Sequence, residues 1–313
     1  SSVSRGGSDL LTAERYGYSG IVQLPSDVEL LRSQTRRLVD RDLRPRTLEI
    51  ERERHIPDEL VAKLRELGYF GLTIPERYGG LGLTALAHLV VQEELGRAHA
   101  AFNMLISGNN GIGVMGLVLS GSEAQKERWL PRLASGEWIA AFALTEPNAG
   151  SDAQAIETRA VRDGDRFVLN GTKHYISRGD IADLVTVFAV TEPTTKSRAR
   201  GGITAFAIEK GTPGFRVARI QDSMGSDVVK QAELVFEDCS VPSDNVVGEV
   251  GQGFATAMRR LELGRLSLAA RCLGTMEELL QVSVEHAKNR VQFGKRIAEQ
   301  PAIQHMLADT ATD

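Results

Sequence analysis

A chain of 313 residues and 34.1 kDa has room for two or three domains of roughly 150 residues or less. Hydrophobic residues at 42% and charged residues at 25% are ordinary globular values and exclude a disordered or collagen-like chain. Lys and Arg number 37 against 41 Asp and Glu, a formal net charge of −4 and a pI near 6.0, so no basic excess exists to drive nucleic-acid binding. Cys239 and Cys272 form no CxxC and the six histidines form no HExxH, which argues against a disulfide framework and against a zinc site. No run of 18 apolar residues predicts a transmembrane segment. The start, SSVSRGGSDLL, lacks a signal-peptide layout and an initiator Met, so a processed or trimmed N-terminus and an intracellular, metal-free protein are expected.

Residues 1–24 are rich in Gly and Ser and read as a flexible lead-in. Val28, Leu31, Thr35, Leu38 and Val39 then recur at helical spacing. Pro45 ends or kinks that helix, and the basic run Arg36–Arg46, with Asp40, Asp42, Glu49 and Glu51 among and after it, reads as a solvated face. Leu60, Val61, Leu64 and Leu67 mark a second helix stopped by Gly68, and PERYGGLGLT is a loop. Residues 84–98 and 122–135 are helical, with Ser122 as N-cap. Near Trp138 the pattern changes to short runs such as IAAFAL, LVTVFAV and ITAFAI. Asp163-Gly164 and Asn170-Gly171 are hairpin signals between such runs, predicting an antiparallel β domain over about residues 139–245. After Gly251 a long amphipathic helix runs to about 290, and another begins near Ala298 and continues to Asp313. The expected fold is therefore α+β and multidomain: a lead-in (1–24), an N-terminal α-helical domain (25–138), a middle antiparallel β domain (139–250) and the start of a C-terminal α-helical bundle (251–313). An amphipathic helix needs its apolar face covered, so this bundle calls for further chain or another subunit.

Two motifs invite a chemical reading. Gly111, Gly113 and Gly116 match GxGxxG, with Glu137 21 residues after the last of them. The dinucleotide fingerprint needs a strand before it and a βαβ unit around it, and here helices surround it. The segment ALTEPNAGSDAQA (143–155) follows the first strand and offers hydroxyls, an acid and free backbone N–H groups, as a polar-ligand loop would; an ordinary strand exit has the same composition.

At LTEPNAGSD the sequence resembles the acyl-CoA dehydrogenase family. PERYGGLG, NGTKHYIS, ELVFEDCSVP, LELGRLSLAARCLG and RVQFGKRIAEQPAIQHMLAD extend the resemblance, in family order, over roughly residues 27–313. It implies the same helix–sheet–bundle fold, FAD, an acyl-CoA substrate, and hydride transfer to flavin N5 with electrons passing to an electron-transfer flavoprotein. By motif position Phe142, Leu144, Thr145, Gly150 and Ser151 would run along the flavin, with Ser151 also meeting CoA. Tyr175 stands where the family usually has Trp against the flavin, beside Ile176, and Ser177 where it has Thr near N5. Arg290, Gln292 and Phe293 match an R-x-x-F-G element that reaches the FAD pyrophosphate of a neighbouring subunit, implying a homodimer or homotetramer. Glu262 and Arg265 share a helix face that in the family meets the substrate, although a plain intrahelical contact explains their spacing equally well. Phe102, Met104 and Ile112, on an expected loop Phe102–Gly113, suggest an apolar acyl pocket or plain core packing.

The family's catalytic Glu occupies one of two places. One immediately precedes the Arg matching Arg265, where this sequence has Gly264; the other falls beyond Asp313, where the base is expected. The alternatives are a flavin-dependent monooxygenase or oxidase on the same fold, or a non-catalytic FAD-binding partner subunit. The resemblance also implies lipid metabolism, in a bacterial cytoplasm or a mitochondrial matrix.

Overall fold

The computed structural model describes residues 23–191 and 202–313. Apart from Gln23 and Leu24, the expected lead-in lies outside the described residues. Helix α1 (Ser26–Leu38) carries Asp27 and Glu29 in its first turn and Arg36 and Arg37 in its last, matching the helix dipole, and buries Val28, Thr35 and Leu38. Pro45 bends the chain as expected. A π turn (Val39–Leu43) and a 3-10 turn (Arg44–Arg46) precede α2 (Thr47–Glu53), because Pro45 has no N–H to give. The basic run is more than a solvated face. Arg36 holds the buried Glu94 at 2.8 Å and Arg44 holds Glu278 at 3.1 Å. Helix α3 (Asp58–Glu66) ends before Gly68, whose φ of 76° suits a residue without Cβ.

Helices α4 (Ala85–Gly96), α5 (Ala100–Asn110), α6 (Met115–Ser120) and α7 (Glu123–Ala134) follow. Ser122 and Gln125 form a reciprocal capping box at the start of α7. Most of the segment expected as a loop, Phe102–Gly113, is helix α5, and Phe102 is fully buried among the N-terminal helices. Gly111–Gly116 spans the link from α5 into the first turn of α6, with no strand before it among the described residues. By length and composition Ala100–Ser120 is apolar enough for a membrane span; here it is two mostly buried helices.

The sheet comprises β1 (Ala140–Ala143), β2 (Arg159–Asp163), β3 (Arg166–Ser177), β4 (Leu184–Val190), β5 (Ile203–Glu209), β6 (Phe215–Ile220) and β7 (Gln231–Pro242). The pairings β2–β3, β3–β7, β6–β7 and β4–β5 are antiparallel. β1 pairs with β4 in parallel, and β2 touches β4 in parallel at Arg159 and Val190. Asp163-Gly164 turns the β2–β3 hairpin, but Asn170-Gly171 does not turn the chain. It lies inside β3 at a register shift, where a Cβ on Gly171 would come within 2.4 Å of Thr158 Oγ1. Glycine here serves close approach in a bulge. One core joins α7, the sheet and the start of the next helix around Trp129, Phe188 and Phe254.

Helix α8 (Gly253–Asn289) runs 37 residues, about 55 Å. It crosses α4 with a glycine on each helix, Gly96 and Gly274, at the point of close approach. A Cβ on Gly96 would lie 2.3 Å from the Arg271 carbonyl oxygen, and one on Gly274 would lie 1.8 Å from that of Glu93. Thr275 Oγ1 donates to the Gly96 carbonyl at 2.8 Å across the crossing. Strands β8 (Val291–Gln292) and β9 (Lys295–Arg296) form a tight hairpin through Phe293 (φ 52°) and Gly294 (φ 75°). Helix α9 (Pro301–Thr312) starts three residues later than expected, because Ile297–Glu299 is a 3-10 turn and Pro301 takes the first helical turn, where no N–H is needed.

Candidate functional site

The loop leaving β1 is held from behind by a buried ion pair. Glu146 and Ala149 exchange backbone hydrogen bonds of 3.0 and 3.2 Å, closing the loop tightly. The Glu146 carboxylate accepts from the backbone N–H groups of Glu157 (2.6 Å) and Thr158 (3.0 Å) and from Lys173 Nζ at 2.7 Å. Lys173 also donates to the Leu144 carbonyl at 3.1 Å. Burial opposes ionisation of Glu146, but the ammonium and these donors together hold its carboxyl below the usual range. Burial pushes Lys173 down to about 8 against the pull of Glu146. With the carboxylate and ammonium committed to each other, Thr145 and Ser151 remain on the front of the loop.

The end of β3 is shaped to face the same way. A register shift between Lys173 and Ile176 puts Tyr175 at φ 57°, and Arg178 follows at φ 63°. His174 N–H donates to the Thr145 carbonyl at 2.8 Å, tying the bulge to the loop. Tyr175 is left 59% exposed, unusual for so large a ring. The Arg178 guanidinium is buried and donates to the Met104 and Ala140 carbonyls and to Ser107 Oγ (2.8 Å), joining β3 to α5 and β1. Burial lowers its pKa to about 10, and nearby Asp180 opposes the shift.

These segments enclose a cleft of about 400 Å3 with α8 as its far wall, within the usual size of small-molecule sites. Phe142 lines it from the end of β1, and Leu144, Thr145, Gly150 and Ser151 from the loop that follows. Tyr175, Ile176 and Ser177 line it from β3, and Arg265 from α8. A Cβ on Gly150 would meet nothing within 4 Å, so the loop backbone stands open to the cleft. Glu262 is exposed on α8 and is not part of the lining. Arg290, Gln292 and Phe293 sit apart from the cleft, exposed on the β8–β9 hairpin, with Phe293 fully exposed. Met104 and Phe102 do not line it; Ile112 does. No Asp or Glu lines it among the described residues, and those residues contain no cluster of His, Cys, Asp and Glu able to hold a metal.

A second, smaller cavity of about 170 Å3 lies between α4, α5 and α8 and shares Ile112 with the cleft. Gly264 lines it; a Cβ there would stand 3.2 Å from Ile112 Cγ2. His88, Gln92 and Asn110 reach its wall. Sequence reasoning passed over these three and Glu146, Lys173 and Arg178. The available signal for the first two was a pair of polar residues four apart on the otherwise apolar start of α4.

Comparison with known proteins gives three consecutive family matches: acyl-CoA dehydrogenase N-terminal domain over residues 25–137, middle domain over 141–239 and C-terminal domain over 251–313. An acyl-CoA dehydrogenase of Bacillus subtilis (strain 168) is 37% identical over 283 residues, covering 90% of this chain and 74% of that protein. The mitochondrial short-chain specific acyl-CoA dehydrogenase of Mus musculus is 38% identical over 290 residues, covering 93% and 70%. The structure of butyryl-CoA dehydrogenase from Megasphaera elsdenii matches with a TM-score of 0.87 at 36% identity, covering 93% of this chain and 76% of that one.

Proposed function

The chain belongs to the acyl-CoA dehydrogenase family of oxidoreductases, and from that premise we propose that it carries out FAD-dependent α,β-dehydrogenation of an acyl-CoA thioester, passing electrons to an electron-transfer flavoprotein. The observation that carries this reading is the convergence of Thr145, Ser151, Tyr175, Ser177 and Arg265, from three separate segments, on one cleft. The lining fits a flavin. It joins an exposed aromatic face, an open glycine backbone and three hydroxyls with no hydrogen-bond partner among the described residues. When bound, FAD supplies the acceptor for the β-hydrogen, removed as hydride.

Phe142, Leu144, Thr145, Gly150 and Ser151 would hold the ring along the loop, and Tyr175 and Ile176 would cover its face. Thr145 and Ser177 would direct hydroxyls at its polar edge, and Ser151 and Arg265 would receive the CoA portion, with Glu262 on the same side of α8. The apolar walls formed by Phe142, Leu144, Met258 and Leu261 exclude water, which strengthens hydrogen bonds to the thioester oxygen as charge develops there. Arg290, Gln292 and Phe293, exposed on their hairpin, are suited to the FAD pyrophosphate of a neighbouring subunit in a homodimer or homotetramer, since a guanidinium fork pairs with phosphate oxygens. Gly264 cannot act as base, and this reading takes the base from the family's other position, after Asp313. The domain limits 25–138, 139–250 and 251–313, and a bacterial cytoplasmic or mitochondrial location, are part of the same proposal.

The test is anaerobic titration of the FAD-loaded native protein with short, medium, long and branched acyl-CoA thioesters. Loss of the oxidised flavin absorbance with at least one is expected. Bleaching by none, with rapid oxygen consumption by the reduced protein, would replace this reading with a monooxygenase or oxidase.

A further inference from the structure

The cavity behind Gly264 is built around polar groups that the fold leaves unsatisfied. His88 and Gln92 are 2% and 3% exposed, yet among the described residues His88 Nδ1 and Gln92 Nε2 have no hydrogen-bond partner. Asn110 donates to the Tyr69 and Ile106 carbonyls, while its Oδ1 is likewise buried and without a partner among the described residues. All three residues line the same cavity, together with Arg271 from α8, whose guanidinium has no carboxylate within ion-pair distance among the described residues. Leaving buried donors and acceptors unmade is expensive, so such a cluster calls for a ligand with matching polar atoms. Burial holds His88 down to about 4, so the ring is neutral and meets a ligand by hydrogen bonding.

The cavity adjoins the proposed flavin cleft at Ile112, and the missing side chain of Gly264 leaves the space between them open. Its volume of about 170 Å3 is close to the ~150 Å3 that accommodates a benzene-sized molecule. We propose that the acyl group taken by this chain is short and ends in an oxygen function (hydroxyl, oxo or carboxylate) bound by Gln92 and His88 in this cavity. This rests on the acyl-CoA dehydrogenase reading and narrows its substrate class. A purely alkyl tail would bury the same polar atoms without satisfying them, and a site built to hydrogen-bond its ligand discriminates strongly against an analogue lacking the partner.

The experiment measures binding to the FAD-loaded native protein by calorimetry. CoA thioesters of one chain length are compared, ending in methyl, hydroxyl, oxo or carboxylate. At least one oxygen-ended thioester should bind about tenfold tighter than the methyl-ended one. A preference for the carboxylate alone would assign the main contact to Arg271 and overturn the assignment to Gln92 and His88; a preference shared by the neutral ends supports it. Gln92→Met keeps the side chain's shape and removes its donor. It should fold as well as the parent and lose the preference by about tenfold, with the methyl-ended thioester bound no more weakly than by the parent. Equal or tighter binding of the methyl-ended thioester, or an unchanged preference in Gln92→Met, overturns the proposal; the polar groups then hold water only. If no thioester in either series binds, the dehydrogenase reading falls and takes this inference with it, whereas tight binding of the methyl-ended thioester alone overturns only the inference.

Discussion

Gly264 and His88 show how single residues decide what this site can accept. With its Cβ only 3.2 Å from Ile112 Cγ2, an alanine at position 264 would crowd that contact, and a larger side chain would occupy the space between cleft and cavity. Gly264→Leu should keep the helix, since leucine is the better helix former by up to ~1 kcal/mol, and should leave flavin content unchanged. Affinity for thioesters with a tail of several atoms should fall about tenfold or more, as read by calorimetry, while CoA esters of the shortest acids are less affected. His88 carries a pH dependence. Its ring protonates near 6.5 when unfolded but only near 4 when buried, so between these values the unfolded chain binds more protons. Stability contributed by the neutral ring is therefore intact above pH 6.5 and is lost as pH falls towards 4, by at most about 3 kcal/mol. Urea midpoints of the parent and of His88→Leu, compared from pH 7 to pH 4.5, should diverge in that direction; parallel curves would contradict the assignment.

At the scale of elements, two joints set the cleft's shape. The first is the Glu146–Lys173 pair between the loop after β1 and β3. Lys173→Met leaves a carboxylate buried at 6% exposure without its cation, which should cost about 3–5 kcal/mol and release the loop. Adding Glu146→Gln should recover part of that loss, because an amide needs no counter-charge; thermal unfolding with bound-flavin absorbance reads both effects. The second joint is the crossing of α4 and α8 at Gly96 and Gly274. A methyl at position 274 would meet a backbone oxygen, which has no rotamer through which to yield. Gly274→Ala should destabilise the protein by about 1–3 kcal/mol or more and widen the small cavity, since that cavity is bounded by the same two helices. A thermal midpoint equal to that of the parent would show that the helices separate at no cost.

Over the whole molecule, the apolar residues left outside matter most. Leu266, Leu273, Met276, Leu279 and Val282 of α8, and Met306 of α9, are each about half exposed or more. Patches of this kind mark interaction surfaces, and they support the proposed homo-oligomer. The opposite face of α8 is engaged within the chain, where Glu278 meets Arg44 at 3.1 Å and Arg97 at 3.6 Å. If Arg290 reaches a neighbour's FAD, Arg290→Ala should lower FAD retention by an amount corresponding to about 1.5–3 kcal/mol, with little change in secondary structure. Assembly should weaken in parallel. Flavin content and mass by light scattering test the two together, and equal values in parent and variant would remove the cross-subunit role.

Much of this could be read without coordinates because it depends on near neighbours along the chain. The helix–sheet–helix order follows from apolar periodicity, the start of α7 from Ser122 three residues before Gln125, and the β2–β3 hairpin from Asp163-Gly164. The LTEPNAGSD loop and the HYIS strand end were legible as motifs, and the fold brings them to one cleft. What the coordinates alone decided depends on residues far apart in sequence. Asn170-Gly171 has the composition of a turn, yet Gly171 packs on Thr158 and becomes a bulge. Phe102 was open to either a pocket or a core reading, and α5 turns it into the core. Arg178 carried no signal of its own in the sequence; its role comes from the Ala140 and Met104 carbonyls, which accept from its buried guanidinium. His88 and Gln92 stood out only mildly on an apolar helix. Their meaning comes from α8 closing over them at Gly96 and Gly274 with no described residue offering a hydrogen bond to His88 Nδ1 or Gln92 Nε2, and whether a buried polar atom is satisfied is a property of its neighbours in space, which no local pattern encodes.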